Sequence, residues 1–248
     1  MTEETDLPDD VALLWGLRDA PRRGRKPSLT TADITRAAIG VADAEGLAAV
    51  SMARVAQQLD KSTMALYRHV RSKDELLALM VDAAMEEPPE LPPGCDWRTG
   101  LTTWSHGVLA VHRRHPWLSR VPISGPPAGP RNLAWFDRGL AALAGTPLGE
   151  EDKVEVVMSL LTFVNGEVRL AGDLAAGYQD NPDAFSRTYS NVLRRVVDSR
   201  RLPWLSKVVE AGVFDLDDLH AQEDLDRAFA FGLGVFLDGV AALVARRG

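Results

Sequence analysis

Between Ser51 and Lys73 the sequence SMARVAQQLDKSTMALYRHVRSK breaks its helical periodicity once, at Asp60-Lys61. This break constrains the fold more than any other feature of the chain. Met52, Val55, Ala56 and Leu59 recur at the spacing of one helix face, and Ser51 ahead of them can accept from the free amides of the first turn. Past the break, Ser62 is placed to cap a second helix. That helix turns Leu66 and Val70 inward and has Thr63, Met64, Tyr67, Arg68 and His69 among its outward positions. A helix of this kind suits the major groove of DNA, where short side chains near its N-terminus reach base edges and longer ones reach phosphate.

Upstream, LTTADITRAAIGVADAEGL sets Ile34, Ala37, Ala38, Val41 and Ala42 on one face, with Thr30 or Thr31 as the cap and Gly46 as the stop. Downstream, SKDELL opens a further helix, about Ser72 to Glu87, which the prolines of EPPELPPGCD end. The ADAEGL ending, the LYRHV block and the SKDELL entry together resemble the DNA-binding domain of the tetracycline-repressor (TetR) family over roughly residues 28 to 82. The resemblance implies an all-α fold with a three-helix helix-turn-helix head at 28–75. An N-terminal extension with a basic arm would occupy 1–27, and a larger helical ligand-binding and dimerisation domain 76–248.

The same resemblance implies roles for individual residues. Thr63, Met64 and Ala65 match positions that face base edges, and Tyr67 and His69 match positions that touch phosphate or the groove wall. Ser51 and Lys73 would clamp the DNA backbone, Thr31 and Ser62 would lie at helix starts beside it, and Arg54 and Arg68 are candidates to reach a guanine. Two positions depart from the family pattern: Asp60 stands where glycine is usual in the turn, and Lys61 where a small apolar residue is usual. Aspartate tolerates the left-handed conformation, and Lys61 would have to point outward.

The net charge is −7, which sits oddly with a DNA-binding surface until the charges are located. From Pro21 to Lys73 there are ten basic and four acidic residues, a balance of +6 that leaves −13 for the remainder. Phosphate attraction is thus concentrated at one end. Arg23, Arg25 and Lys26 in PRRGRKPSL resemble an arginine hook for a narrow minor groove, the alternative being a solvated basic linker. The run VALLWGL before it is too apolar for a disordered tail, and a short helix packed onto the body or a partner is expected.

Beyond Asp96 helical periods return at about 96–115, 131–144, 150–173, 183–199 and 222–246, separated by proline and glycine breaks, with no alternating strand pattern. Aromatic residues interleaved with a few polar ones suit a small-molecule pocket, for which Trp104, His106, His112, Trp135, Phe163, Asn165, Glu167, Arg169 and Tyr178 are the candidates. The alternative for each aromatic is plain core packing. His112 and His115 could share a metal ion, but no carboxylate or cysteine stands at ligand spacing, and no metal or cofactor is expected. In the last helix Phe229, Gly232, Leu233, Phe236, Val240 and Val244 align, and the resemblance implies a four-helix interface between two subunits there and near 150–173.

Cys95 is alone, which rules out an internal disulfide; the acidic start MTEETDLPDD resembles no secretory leader, and the apolar stretches read as short of a membrane span. A cytoplasmic protein without a membrane partner is expected. No nucleophile elbow, phosphate-binding glycine loop or HExxH occurs, which weighs against an enzyme. The expected function is a homodimeric repressor released from a palindromic double-stranded DNA operator by a small-molecule effector. The alternatives are a ligand-independent architectural DNA binder and a helical enzyme that the head localises to DNA.

Overall fold

Most helices of the N-terminal region begin at a residue whose side chain closes the first turn. In the computed structural model, which describes residues 7–17, 29–122, 127–180, 187–215 and 221–248, Thr30 rather than Thr31 caps α2 (Thr31–Glu45). The Thr30 hydroxyl accepts from the Asp33 amide while the Asp33 carboxylate accepts from the Thr30 amide, a reciprocal capping box. Ser51 caps α3 (Met52–Gln58), Ser62 caps α4 (Thr63–Tyr67), Ser72 caps α5 (Lys73–Met85) and Asp96 caps α6 (Trp97–Arg114). These bonds hold the Asp33 and Asp96 carboxyls below the usual carboxylate range.

Two helix ends are closed by the same device. The expected helix in the N-terminal extension is α1 (Asp9–Leu14), which stops where Gly16 turns left-handed at φ 66° and Leu17 donates back to the Ala12 carbonyl. At the end of α3, Asp60 takes the left-handed position at φ 52° and Lys61 donates to the Ala56 carbonyl at 3.0 Å. The break in the sequence pattern is therefore a Schellman turn with aspartate where glycine is cheaper. Lys61 points into solvent as expected.

The remaining helices are α7 (Pro130–Ala142), α8 (Glu150–Asp180), α9 (Arg187–Val196), α10 (Pro203–Glu210) and α11 (Ala221–Arg247), with 3-10 turns at Leu47–Ala49 and Pro116–Arg120. No strand occurs among the described residues, so the all-α expectation holds. The sequence reading missed α10, which is only eight residues long and starts with Pro203 at a position where its missing amide costs nothing. The chain groups into two compact units, Met1–Val168 with Val240–Gly248, and Arg169–Gly239.

In the first unit α2, α3 and α4 enclose Ile34, Val55, Leu66 and Val70, all fully buried, and α5 packs along α2, α1 and α7. Asp82 of α5 is buried, and its Oδ1 accepts from the Arg131 and Asn132 amides and the Asn132 side chain, each at 3.1 Å. One carboxylate thus closes the start of α7, where proline and glycine leave no side-chain cap of their own. Gly129 is required beside it, since a Cβ there would lie 2.1 Å from that oxygen. Trp104 and Trp135 meet edge to face with centroids 6.2 Å apart, Trp104 donating to the Trp135 carbonyl and Trp135 to that of Met85.

In the second unit Asp215 binds the Ser190 hydroxyl and the Arg194 guanidinium of α9, which lowers its carboxyl pKa, and Tyr189 stands edge-on to Phe214. One expectation is corrected by α11. Its segment Leu225–Arg247, with a mean hydropathy of 2.0, is long and apolar enough by composition to cross a membrane. Phe229, Leu233, Leu237 and Val240, spaced along one face, are buried in the protein.

Two predictions follow from the local chemistry. Asp60→Gly relieves a left-handed residue and raises unfolding free energy by about 0.5–1 kcal/mol, read from urea denaturation. His112 is buried, which pushes its pKa below the ordinary histidine value against a weaker opposite effect of its bond to the Val108 carbonyl. The unfolded chain then takes up a proton that the folded chain resists, so stability falls as pH drops below the ordinary histidine range. His112→Gln should flatten that acid limb in unfolding curves taken between about pH 7.5 and 5.5.

Candidate nucleic-acid interface

A five-residue helix carries the proposed reading surface, and its orientation is set from beneath. Leu66 and Val70 are fully buried against the head, which turns Met64 (68% exposed) and Tyr67 (44% exposed) outward. Thr63, Ala65 and His69 are half-buried, Arg68 is exposed, and the Ser62 hydroxyl accepts from the Ala65 amide at 3.3 Å. Such a surface offers a hydroxyl for base-edge hydrogen bonds and a thioether and a methyl for thymine contact. Lys73 is exposed at the first residue of α5, and Ser51 is an exposed cap. Thr31 is half-buried at the start of α2.

The arginines divide. Arg54 does not stand ready for a guanine: its guanidinium already grips Glu45 with bonds of 2.6 and 3.1 Å, which keeps the Glu45 carboxyl below its usual range. Arg71, which follows the recognition helix, pairs with Asp9 of α1 at 2.7 Å. Arg23, Arg25 and Lys26 lie outside the described residues.

The pocket candidates differ in their surroundings. Trp104 and Trp135 belong to the tryptophan pair of the core, and His112 is buried with its Nδ1 on the Val108 carbonyl. His106 and Arg169 are exposed, His106 with Nδ1 on the Thr102 carbonyl and Arg169 3.9 Å from Asp173. Phe163, Asn165 and Glu167 are half-buried on α8, and the Asn165 Oδ1 is buried without a hydrogen-bond partner. The Tyr178 side chain lies outside the described residues. Among the described residues no three histidine, cysteine or acidic side chains gather as metal ligands.

Sequence reasoning missed a second polar junction besides that of Asp82. Asp43 of α2 receives His115 Nδ1 at 2.8 Å and Trp117 Nε1 at 2.7 Å on the same carboxylate oxygen. The only visible signal was the His-Pro-Trp turn itself, since nothing in the spacing pairs residues so far apart in the chain.

Family comparison agrees with this arrangement. Residues 34–80 match the model described as bacterial regulatory proteins, tetR family, and residues 88–244 match the tetracyclin repressor-like C-terminal domain. The chain is 36% identical to the HTH-type transcriptional repressor DrrR1 of Streptomyces coeruleorubidus, over 98% of this chain and 88% of that one. It is 30% identical to an HTH-type transcriptional regulator of Saccharopolyspora erythraea, over 88% of this chain and 86% of that one. Among solved structures it is similar to Streptomyces coelicolor ActR in complex with actinorhodin, with a TM-score of 0.74 and 28% identity over 90% of this chain and all of that one. Matched in both its head and its body, the chain belongs to the TetR family of DNA-binding transcriptional regulators, which are not enzymes.

Proposed function

We propose that this regulator is a homodimeric repressor that binds a pseudo-palindromic operator and leaves it when a small molecule enters the helical body. The observation that carries the effector half of this reading is the Asn165 Oδ1, a buried acceptor with no hydrogen-bond partner on α8. Leaving such a group unmet costs about 1–3 kcal/mol, which a ligand with a hydrogen-bond donor would recover. The likeness to ActR, a family member solved with actinorhodin and with (S)-DNPA, supports a ligand in the body of this chain as well.

The dimer half rests on α11. Of the residues expected at the interface, Phe229, Leu233 and Val240 are buried within the chain, and Gly232, Phe236 and Val244 are half-buried. Phe231 and Val235, one helical turn apart, are 76% and 58% exposed. A phenylalanine so exposed beside a valine favours a partner surface, and a second copy of the same helix is self-complementary under two-fold symmetry. The two recognition helices would then enter successive major grooves roughly 34 Å apart. Such a protein works beside the chromosome, in the cytoplasm.

For the DNA half, Lys73→Ala should weaken operator binding while reducing the slope of log affinity against log salt by about 0.9, as one phosphate contact is lost. Fluorescence anisotropy at several salt concentrations reads both quantities. For the effector half, compounds beginning with actinorhodin and (S)-DNPA are tested for thermal stabilisation of the protein. Those that stabilise it should weaken operator binding, and Asn165→Leu should remove the stabilisation while leaving operator affinity in place. Compounds that bind yet leave operator affinity unchanged would falsify release by ligand.

A further inference from the structure

We infer that Asp43 is a positioning residue for operator recognition: its carboxylate pins the head against rotation and so fixes the spacing of half-sites the protein accepts. The inference rests on the operator-binding dimer proposed above. It starts from the mechanics of α5, which begins at Lys73, next to the recognition helix, and runs on without interruption to Met85. The Met85 end is held fast, because Asp82 closes the start of α7 and the Met85 carbonyl accepts the Trp135 indole. A single continuous helix sets the distance of the head from the body. It does not by itself resist rotation of the head about the helix axis.

Asp43 supplies a contact away from that axis. It lies on α2, which packs beside α5 and against the turn Pro116–Arg120. The two donors it meets come from residues flanking Pro116, and both are held in place: His115 and Trp117 are buried, with ring centroids 6.0 Å apart. A carboxylate can only accept, so the His115 Nδ1 carries the proton and donates, as the Trp117 Nε1 must. Two rigid donors converging on one oxygen leave α2 little freedom to slide or turn against the end of α6.

The test uses an operator selected by the wild-type full-length chain from random duplexes, then rebuilt with its half-sites moved apart by one and by two base pairs. Wild type should prefer its own spacing by roughly tenfold or more, since each added base pair rotates one half-site away from its recognition helix. Asp43→Ala should cut this preference to about threefold or less, and Trp117→Phe, which keeps a ring but loses the donor, should do the same. Asp43→Asn, which keeps the accepting oxygen, should retain most of it. A purely structural role would lower affinity for every spacing alike and leave the ratio untouched. Unchanged ratios in both Asp43→Ala and Trp117→Phe therefore overturn the pin, and if Asp43→Ala lacks the helical circular dichroism of wild type, Trp117→Phe decides alone. A wild-type chain with no spacing preference overturns the dimeric operator reading and the pin with it, which separates the two failures.

Discussion

The recognition helix is five residues long, and everything around it answers that shortness. A helix of one and a half turns has no stability of its own, because nucleation costs more than its few backbone bonds return. It persists here because Leu66 and Val70 reach into the space enclosed by α2 and α3, and because Ser62 satisfies an amide that would otherwise face water. Small losses elsewhere in the head are thus felt first at the surface that meets DNA. The left-handed aspartate in the turn adds to this sensitivity, since it holds the angle between α3 and α4 at some conformational cost.

Local chemistry was the legible part. Caps, stops and buried faces depend on residues within four positions of one another, so Ser51, Ser62, Gly46 and the Leu66–Val70 pair could be read directly from the sequence. Long-range polar junctions could not. Nothing within a few positions of Asp43 or Asp82 foretells the donors that the fold brings to them from residues 49 to 74 positions away. Aromatic content was legible as content but not as location: Trp104 and Trp135 are core, while Phe231 stands out in solvent on the same helix that buries Phe229. Two positions along a helix decide between these fates, and a periodicity argument with an error of one residue cannot.

Two carboxylates, the buried Asp82 and the more exposed Asp43, do unusual work in this molecule. Each gathers more than one donor on a single oxygen: Asp82 two backbone amides and a side-chain amide, Asp43 an imidazole and an indole. Charge-assisted bonds of this kind are directional and roughly twice as strong as neutral ones, which suits a joint that must hold an angle. They also join segments that arrive late in the chain to helices that come early. The head of this protein therefore depends for its orientation on residues that a family description assigns to the body.

The docked N-terminal helix has a practical consequence of the same sort. The match to the family's head model begins at residue 34, yet Leu13 of α1 is buried, Asp9 is engaged with Arg71 and the Trp15 indole donates to the Ala128 carbonyl at 2.9 Å. A chain trimmed to the start of that match would lose an apolar cover from the helix that carries the head. It would also free one arginine beside the DNA-facing surface, so a shortened protein and the intact one should not be treated as interchangeable reagents.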